Sequence, residues 1–284
     1  MLRKNMAKNK KPYSRVYVEI TNICNKSCSF CKGTKRKPKM MGEEEFSLLL
    51  EKLSPLTDYL YFHLMGEPTV HPKLVRFIEL ARNAGYHPMI TTNGTLLDSL
   101  GEKIIAAGVY KVNISLHSFE NGSKTDAESY LKSCIDFAKR AEESGVIVTL
   151  RLWNGGTGVD NGIVIEELKQ SFPCEWEENN RGARLSGRIF LEYADRFGWP
   201  DIEADALGAD VYCHGLSDHF AILCDGSLVP CCLDSDGIMT LGNAFEEDIS
   251  DILSAQRARN IKEGFRRRNT DEPLCQRCPY ARRF

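Results

Sequence analysis

The stretch TNICNKSCSFCKGTK, residues 21–35, places Cys24, Cys28 and Cys31 within eight positions of one another. It follows an apolar, β-branched segment at residues 16–20, so the first strand of the chain is predicted to end just before the cysteines. Three thiolates leave one position of a metal centre open, which distinguishes a reactive site from a closed structural one. An iron–sulfur cube needs four ligands, so three cysteines would leave one iron free to bind a small molecule. A fragment of a zinc site is the alternative at this point.

Strand-like and helix-like segments alternate on the C-terminal side of this motif. Leucine, isoleucine and alanine recur three or four residues apart, as in helices, over residues 43–53, 72–84, 96–107 and 126–143. Segments rich in β-branched and aromatic residues predict six strands, at 16–20, 59–64, 87–92, 109–116, 146–153 and 188–193. A repeated β-then-α order implies parallel strands joined by right-handed crossovers. The predicted fold class is α/β, a partial (β/α)6 TIM-like barrel with its chemistry at the C-terminal strand ends.

The composition narrows the classes of function. With 284 residues, 42% of them hydrophobic, the chain can bury a substantial core, and a net charge of −2 gives no general attraction to nucleic acid or to anionic membranes. No apolar stretch approaches the length of a membrane span, and the N-terminus lacks the apolar region of a signal peptide, so we expect a cytoplasmic protein with no membrane partner. In that reducing compartment, the eleven cysteines indicate metal ligation or redox chemistry rather than disulfides. Two basic runs are expected to be solvated: Arg3, Lys4, Lys8, Lys10 and Lys11, and then Arg266, Arg267 and Arg268.

A change in composition near residue 200 predicts a second, smaller domain. Residues 196–216 are rich in glycine, proline and acids, and residues 219–234 (HFAILCDGSLVPCCLD) contain two short apolar runs joined through Asp225 and Gly226. Such a pair of runs is a hairpin signal. We therefore predict a basic tail at 1–14, the barrel at 15–204 and an appended domain at 205–284.

Four motifs together resemble the signature of the radical S-adenosylmethionine (radical SAM) superfamily. They are C-x3-C-x2-C with Phe30 before its last cysteine, MGEP at 65–68, TTNGT at 91–95 and NISLHS at 113–118. Met65 stands where the superfamily has the first glycine of its Gly-Gly-Glu-Pro stretch. The resemblance implies a [4Fe–4S] cluster on the cysteine triplet, S-adenosylmethionine (SAM) as a cofactor, and a reductant such as flavodoxin or ferredoxin. It also implies SAM contacts from Phe30, Gly66, Glu67, Thr92, Asn93, Ser115 and Arg151.

The same resemblance assigns roles to several of these residues. Glu67 and the Gly66 backbone would hold the amino group of SAM, Ser115 its ribose or carboxylate, and Arg151 its carboxylate. For Arg151, a structural ion pair is the alternative. Reductive cleavage of the sulfonium carbon–sulfur bond would then give a 5′-deoxyadenosyl radical, which takes hydrogen from a substrate that the protein positions.

The C-terminal cysteines resemble those of SPASM and twitch domains. Cys213, twelve residues, Gly226, four residues and Cys231 match the opening of that pattern, and Cys275-x2-Cys278 supplies two more sulfurs. Four ligands imply one auxiliary [4Fe–4S] cluster, and thus two clusters in the chain. Cys231 is preferred over the adjacent Cys232 because of the glycine-to-cysteine spacing. Cys134, in a helix-like segment, is expected to be a small core residue.

The substrate is the least constrained part of the sequence. RFGWPD at 196–201 and YARRF at 280–284 resemble queuine lyase, which would release a 7-aminomethyl-7-deazaguanine base from queuine. Stacking and hydrogen bonding of such a base predict substrate contacts from His117, Glu192, Tyr193, Asp195 and Trp199, with Phe197 as another stacking face. Packing of these aromatics at the domain junction is the alternative. Four other functions stay open: a twitch-type dehydrogenase of an aminocyclitol-like alcohol, a peptide maturase, modification of a nucleobase or tRNA, and a non-enzymatic metal-binding module that contacts RNA.

Overall fold

The computed structural model describes residues 10–119 and 124–283, and within them all six predicted strands are present. The basic residues Arg3, Lys4 and Lys8 lie outside the described residues. In chain order the strands are β1 (Arg15–Val18), β2 (Tyr59–Tyr61), β3 (His87–Thr92), β4 (Lys111–Ser115), β5 (Ile147–Gly155), β6 (Glu177–Asn179), β7 (Gly182–Arg184), β8 (Ile189–Asp195), β9 (His219–Ile222), β10 (Ser227–Val229) and β11 (Gly242–Asn243).

Four helices, α1 to α4, fill crossovers where the sequence predicted them, and four more follow in the described part of the chain. They are α1 (Glu43–Leu53), α2 (Leu74–Asn83), α3 (Leu97–Ala106), α4 (Lys124–Glu143), α5 (Gly162–Ser171), α6 (Ile249–Ser254), α7 (Gln256–Arg266) and α8 (Pro273–Gln276). The sequence did not predict α5 or the hairpin of β6 and β7. Two of the three residues of β7, and all of β6, are polar or glycine, so neither strand shows the alternation of a half-buried strand.

Six strands form the parallel sheet of a partial barrel. The order is β1-β2-β3-β4-β5-β8, and each neighbouring pair is parallel. The β6–β7 hairpin extends one edge of this sheet by antiparallel pairing with β8. At the other edge, β9 pairs with β1 in parallel over four residue pairs, and β10 and β11 follow. The hairpin predicted through Asp225 and Gly226 is confirmed, and it continues the barrel sheet.

The two faces of the sheet separate the core from the site. Val16 and Leu60, which are paired across β1 and β2, are fully buried in one apolar cluster with Phe46 of α1 and Phe77 of α2. The two phenylalanine rings stack at 4.3 Å between centroids, and burying each contributes about 1.5–3 kcal/mol. Tyr17 points the other way, into the barrel. Because successive side chains of a strand point to opposite faces, Val16 reaches the core and Tyr17 reaches the barrel interior.

Two features of the surface follow. None of the helices in residues 10–119 and 124–283 is both long and apolar enough to span a bilayer. Arg266, Arg267 and Arg268, at the end of α7, have side chains that are 55% to 76% exposed and pair with Glu263 or Asp210. The prediction that this basic run forms a solvated face is thus confirmed.

Candidate functional site

One cavity of about 530 Å³ lies at the C-terminal ends of the barrel strands. Its wall includes all three cysteines of the first motif, at one end, and the cysteines of the C-terminal region, at the other. These cysteines are Cys24, Cys28 and Cys31, and Cys213, Cys231, Cys232, Cys275 and Cys278. The chain therefore brings two cysteine sets, about 180 residues apart in sequence, to a single compartment.

The cysteine loop, residues 22–39, leaves the end of β1 and returns beside it. Its base is closed by Asn22, whose backbone N–H donates to the Lys39 carbonyl at 3.3 Å and whose side chain accepts from the Lys39 N–H at 2.8 Å. Cys24 and Cys31 are exposed and Cys28 is half-buried, so the sulfurs are available at the cavity. Partial burial raises the pKa of the Cys24 thiol, and nearby Glu67 adds to that shift. A cation bound by this thiolate would offset both effects.

Gly66 and Glu67 connect the end of β2 to this loop. Gly66 has a positive φ of 75°, and a Cβ there would collide with the carbonyl of Thr21, so only glycine allows the two backbones to approach. The Glu67 N–H donates to the Ile23 carbonyl at 2.9 Å. Its buried carboxylate accepts from the Thr69 hydroxyl at 2.7 Å and from the Asn93 N–H at 2.7 Å. Burial raises the pKa of Glu67, while these donors lower it.

The end of β3 contacts the loop through amide side chains. Asn93 donates from Nδ2 to Asn25 Oδ1 at 2.8 Å, and Asn25 donates to the Thr95 hydroxyl at 2.9 Å. Thr92 accepts from the Gly94 N–H at 3.1 Å. Thr92 and Asn93 both lie on the cavity wall, so the predicted residues of TTNGT are present there.

Ser115, Arg151 and Glu192 form a row across three neighbouring strands. Ser115 pairs in register with Arg151, and Arg151 pairs with Glu192. The Arg151 Nε donates to Glu192 Oε2 at 3.0 Å, and the guanidinium lies 4.5 Å from the centre of the Trp153 ring. Ser115 and Arg151 line the cavity. The ion pair that the sequence left as an alternative for Arg151 is therefore formed inside the barrel.

Six of the aromatic side chains that line the cavity contact one another. The rings of Phe30 and His117 lie 4.9 Å apart, and Trp153 is stacked near His117 at 6.5 Å. Phe197 lies 5.2 Å from Trp199 and 5.5 Å from Tyr280. All of these residues line the cavity, so each ring can contact a bound ligand as well as its aromatic neighbours.

Two of the residues predicted to contact the substrate lie on the wrong face of β8. Register places Glu192 beside Arg151, in the barrel, so Tyr193 and Asp195 on either side of Ala194 point to the outer face. Tyr193 is 42% exposed, and neither residue is on the cavity wall. His117 and Trp199 do line the cavity, and Glu192 reaches it through its ion pair with Arg151. Period-two alternation shows from sequence alone that Glu192 cannot share a face with Tyr193.

Four C-terminal cysteines form the second sulfur group. Cys213 precedes β9, Cys231 follows β10, Cys275 lies in α8, and Cys278 follows it. Burial raises the pKa of each thiol. Neighbouring thiols add to the shift at three of them: Cys278 acts on Cys213, Cys213 and Cys278 act on Cys275, and Cys213, Cys232 and Cys275 act on Cys231. Mutually unfavourable thiolates of this kind fit a site that a positively charged metal core neutralises.

The remaining cysteines have other surroundings. Cys232 is half-buried beside Tyr17, its hydrogen-bond partner, and desolvation raises the pKa of its thiol to about 11. Cys224 is buried next to Arg36, whose Nη1 lies 3.6 Å from the sulfur. Cys134 is fully buried in α4, which confirms the prediction of a core residue. Cys174 is exposed and away from the cavity.

Both sulfur sets consist of cysteines, whose thiolates are the usual ligands of iron–sulfur clusters. Within residues 10–119 and 124–283, no three His, Cys, Asp or Glu side chains converge as the ligands of one metal ion would. A zinc ion holds its thiolates at about 2.3 Å, which draws them close together, whereas the thiolates of a four-iron cluster bind separate irons and lie farther apart. The donor chemistry of both sets therefore fits iron–sulfur clusters.

A buried ion pair below the cysteine loop was not predicted from the sequence. Glu19, which has no solvent exposure, accepts two bonds from Arg36 Nη2 at 2.7 and 2.8 Å. It also accepts from the backbone N–H groups of Met65 and Cys224. One carboxylate thus joins β1, the cysteine loop, the end of β2 and the C-terminal hairpin. A glutamate within the apolar run VYVEI is the sequence signal that could have shown it.

Comparison with known proteins places the chain in a family. The family model of the radical SAM superfamily matches residues 18–163, just over half of the chain. The chain belongs to the radical SAM superfamily, a superfamily of enzymes. In addition, the SPASM iron–sulfur cluster-binding domain matches residues 213–279, so the protein is a superfamily member with a C-terminal SPASM domain. Together the two matches imply [4Fe–4S] clusters and SAM as the cofactors.

Individual relatives match less of the chain. A protein described as a probable GTP 3′,8-cyclase of Saccharolobus islandicus is 29% identical over 143 residues, which cover 48% of this chain and 46% of the relative. The tungsten-containing aldehyde ferredoxin oxidoreductase cofactor-modifying protein of Pyrococcus furiosus is 33% identical over 107 residues, 36% of this chain and 30% of the relative. The match thus spans less than half the length of these curated relatives.

Solved structures resemble the whole fold. BtrN in complex with AdoMet and 2-DOIA superposes with a TM-score of 0.58 at 20% identity, over 95% of this chain and 94% of BtrN. Native anSMEcpe with bound AdoMet gives a TM-score of 0.61 at 14% identity, over 93% of this chain and 89% of that protein. At these identities the similarity establishes the fold alone. It confirms the predicted partial barrel with an appended SPASM or twitch domain.

Proposed function

We propose that this protein reductively cleaves SAM and abstracts a hydrogen atom from a small molecule bound in the barrel cavity. The observation that carries the proposal is the single cavity that both cysteine sets line. When bound, the cluster and SAM supply one-electron cleavage of the sulfonium carbon–sulfur bond, and so a radical able to attack an unactivated C–H bond. The chain's own residues hold and orient these groups.

Cys24, Cys28 and Cys31 are assigned to the reactive cluster, because they form the C-x3-C-x2-C motif and line the cavity from the loop that follows β1. Glu67 is assigned to the amino group of SAM, together with the Gly66 backbone. The Glu67 carboxylate lies on the cavity wall, and a carboxylate can pair with an ammonium group through charge-assisted hydrogen bonds. Phe30, Thr92 and Asn93 complete the wall around this position.

Arg151 and Ser115 are assigned to the carboxylate and ribose end of SAM. An arginine has five N–H donors, and Glu192 takes the one on Nε, so the terminal nitrogens stay available for a planar carboxylate. The Glu192 contact also fixes the plane of the guanidinium. Ser115 lies beside Arg151 in the sheet register and lines the cavity with it.

Cys213, Cys231, Cys275 and Cys278 are assigned to the auxiliary cluster. With four cysteine ligands this cluster leaves no iron open, so these residues do not serve to bind substrate. They hold the hairpin of β9 and β10 to the C-terminal segment that carries α8. An electron-accepting role and a structural role are both consistent with this ligand set.

The substrate is proposed to be small and to present a flat or apolar face. A cavity of about 530 Å³ is within the range of sites for one drug-sized ligand, and here it must take SAM as well as the substrate. Phe197, Trp199 and Trp153 supply ring faces on its wall. Queuine stays the specific substrate to test, with an aminocyclitol-like alcohol as the second, although the comparisons give queuine no support. Tyr193 and Asp195 are not part of this site.

The decisive experiment is anaerobic reconstitution with iron and sulfide, followed by addition of dithionite and SAM. We expect 5′-deoxyadenosine to form in the wild type and to be abolished when Cys24, Cys28 and Cys31 are all replaced by alanine, with Cys174→Ala as the control. Queuine should increase the rate and release a deazaguanine base. If an aminocyclitol increases the rate and queuine does not, the queuine assignment is wrong. Survival of SAM cleavage in the triple variant would refute the site assignment.

A further inference from the structure

The cysteine loop is held from two directions, and the contacts near Cys31 come from a segment beyond the barrel. We name residues 196–201, which follow β8, the strap. The Trp199 indole N–H donates to the Phe30 carbonyl at 3.0 Å. Lys32 Nζ donates to the Pro200 carbonyl at 2.7 Å and lies 3.4 Å from the Asp201 carboxylate. The strap thus grips the two residues that flank Cys31.

The strap also contacts the Phe30 ring of the cysteine loop through Arg196. The Arg196 guanidinium lies 5.7 Å from the centre of the Phe30 ring, on the cavity wall. Cation–π contact at this distance favours a fixed ring orientation. Phe30 is therefore held through its carbonyl by Trp199 and through its ring by Arg196.

The end of the loop is bound by the SPASM region. The Thr34 hydroxyl and the Lys35 N–H both donate to Asp236 Oδ1, at 2.8 and 2.7 Å. Arg36 Nε donates to the Ser235 carbonyl at 2.9 Å. Most of the side-chain contacts of residues 30–36 thus come from residues 196–236, outside the part of the chain that matches the radical SAM family model.

The first half of the loop is held differently. Asn25, next to Cys24, bonds to Asn93 and Thr95 at the end of β3, inside the barrel. Cys24 and Cys31 therefore take their positions from different parts of the molecule. A shift of the strap would move Cys31 relative to Cys24 without unfolding either segment.

We infer that Trp199 is a positioning residue for the SAM-binding centre, acting through Phe30 to fix Cys31 within the loop. The inference rests on the proposed function, because it concerns the cluster and SAM assigned to that loop. The hydrogen bond carries the role: an indole has one donor, and its acceptor here is the carbonyl of the residue just before a cysteine ligand. Trp199 also lines the cavity, so a ligand packed against its ring would affect its hydrogen bond to Phe30.

The test uses the reconstituted full-length protein and Trp199→Phe, which removes the N–H and keeps an aromatic ring. We expect iron content to equal that of the wild type, the Kd for SAM to rise about tenfold, and the EPR line shape of the reduced, SAM-bound cluster to change. Trp176→Phe is the matched control, since the Trp176 indole donates to the Phe172 carbonyl at 3.1 Å and does not line the cavity. It should leave both SAM affinity and the spectrum unchanged.

Lys32→Met provides a second variant that removes the other strap contact without altering an aromatic residue. It should weaken SAM binding in the same direction as Trp199→Phe. Wild-type affinity and an unchanged spectrum in both variants would overturn the positioning role while leaving the proposed function intact. Failure of the reconstituted wild type to bind SAM would instead overturn the proposed function and, with it, this inference.

Discussion

Two adjacent cysteines, Cys231 and Cys232, show how local surroundings assign a role that spacing leaves open. Both line the cavity, and burial raises the pKa of both thiols. Cys231 interacts with two thiols of the C-terminal set, Cys213 and Cys275, whereas Cys232 interacts with Cys213 and also hydrogen-bonds to the Tyr17 side chain. The geometry thus supports Cys231 as the ligand, in agreement with the glycine-to-cysteine spacing.

We predict that Cys231→Ala removes the auxiliary cluster and that Cys232→Ala does not. Fully reconstituted wild type should hold about eight iron atoms per chain, and Cys231→Ala about four, because each cube contains about four. Iron and sulfide analysis measures this directly, with Cys134→Ala as a core control. Loss of iron in the Cys232 variant alone would reverse the assignment.

His63, in the barrel interior, predicts a pH dependence of stability. Burial, and secondarily the Arg151 cation, lower the pKa of His63 from 6.5 to about 3. The unfolded chain therefore binds a proton below about pH 6.5 that the folded protein does not bind, and stability falls as the pH drops from there toward 3. Between pH 7 and pH 5 this amounts to about 2 kcal/mol.

The variant His63→Gln should lose this contribution. We expect the melting temperature of the wild type to fall more between pH 7 and pH 5 than that of His63→Gln, both measured anaerobically with clusters present. Comparison of the two proteins cancels acid effects on the clusters and on the other histidines. Equal decreases would contradict the assignment of a neutral His63 in the folded protein.

At the scale of the element, the β9–β10 hairpin depends on one glycine. Gly226 has a φ of 89°, in the left-handed region, and a Cβ would collide with the Asn243 side chain and lie 2.5 Å from the Phe245 ring. Its N–H and carbonyl bond to Leu223 and Ala244, so the turn also fixes the chain leading into β11. The direction of this turn sets where Cys231 emerges from β10.

We predict that Gly226→Ala destabilises the protein by more than the about 1–2 kcal/mol of left-handed strain alone. Gly85→Ala is the matched control, because Gly85 has a φ of 87° with no atom within 4 Å of the added Cβ. Thermal unfolding of the two variants separates crowding from backbone strain. Equal losses in the two proteins would show that the Phe245 contact relaxes without cost.

At the scale of the whole molecule, the barrel and the C-terminal region share one sheet. The backbone of β1 bonds to β2 on one side and to β9 on the other, and Phe220 and Ile222 of β9 are fully buried in the main core. The boundary predicted at residue 205 therefore marks a change in sequence composition, whereas the sheet continues from the barrel into the C-terminal region. Removing the second region would open a hydrogen-bonding edge at β1, which is a site for aggregation.

We predict that a chain truncated after Ala204 does not fold as a soluble monomer. Loss of β9 leaves four residues of β1 without a partner on one side of the strand and exposes its apolar neighbours. Size-exclusion chromatography and circular dichroism should show aggregation or loss of cooperative unfolding, whereas the full-length Cys278→Ala variant should stay folded and monomeric. A truncated monomer with cooperative unfolding would establish 15–204 as an independent domain.

The sequence by itself determined the six barrel strands, four of their helices, the hairpin at Gly226 and the cysteine sets that define the chemistry. Each of these depends on short-range signals, namely side-chain periodicity, turn residues and ligand spacing, which act over a few residues. Only the tertiary structure decided that Arg151 pairs with Glu192, that Tyr193 and Asp195 face outward, and that Glu19 and Trp199 hold the cysteine loop. These contacts join residues up to 169 positions apart, and they depend on strand register and barrel closure, which no local pattern specifies.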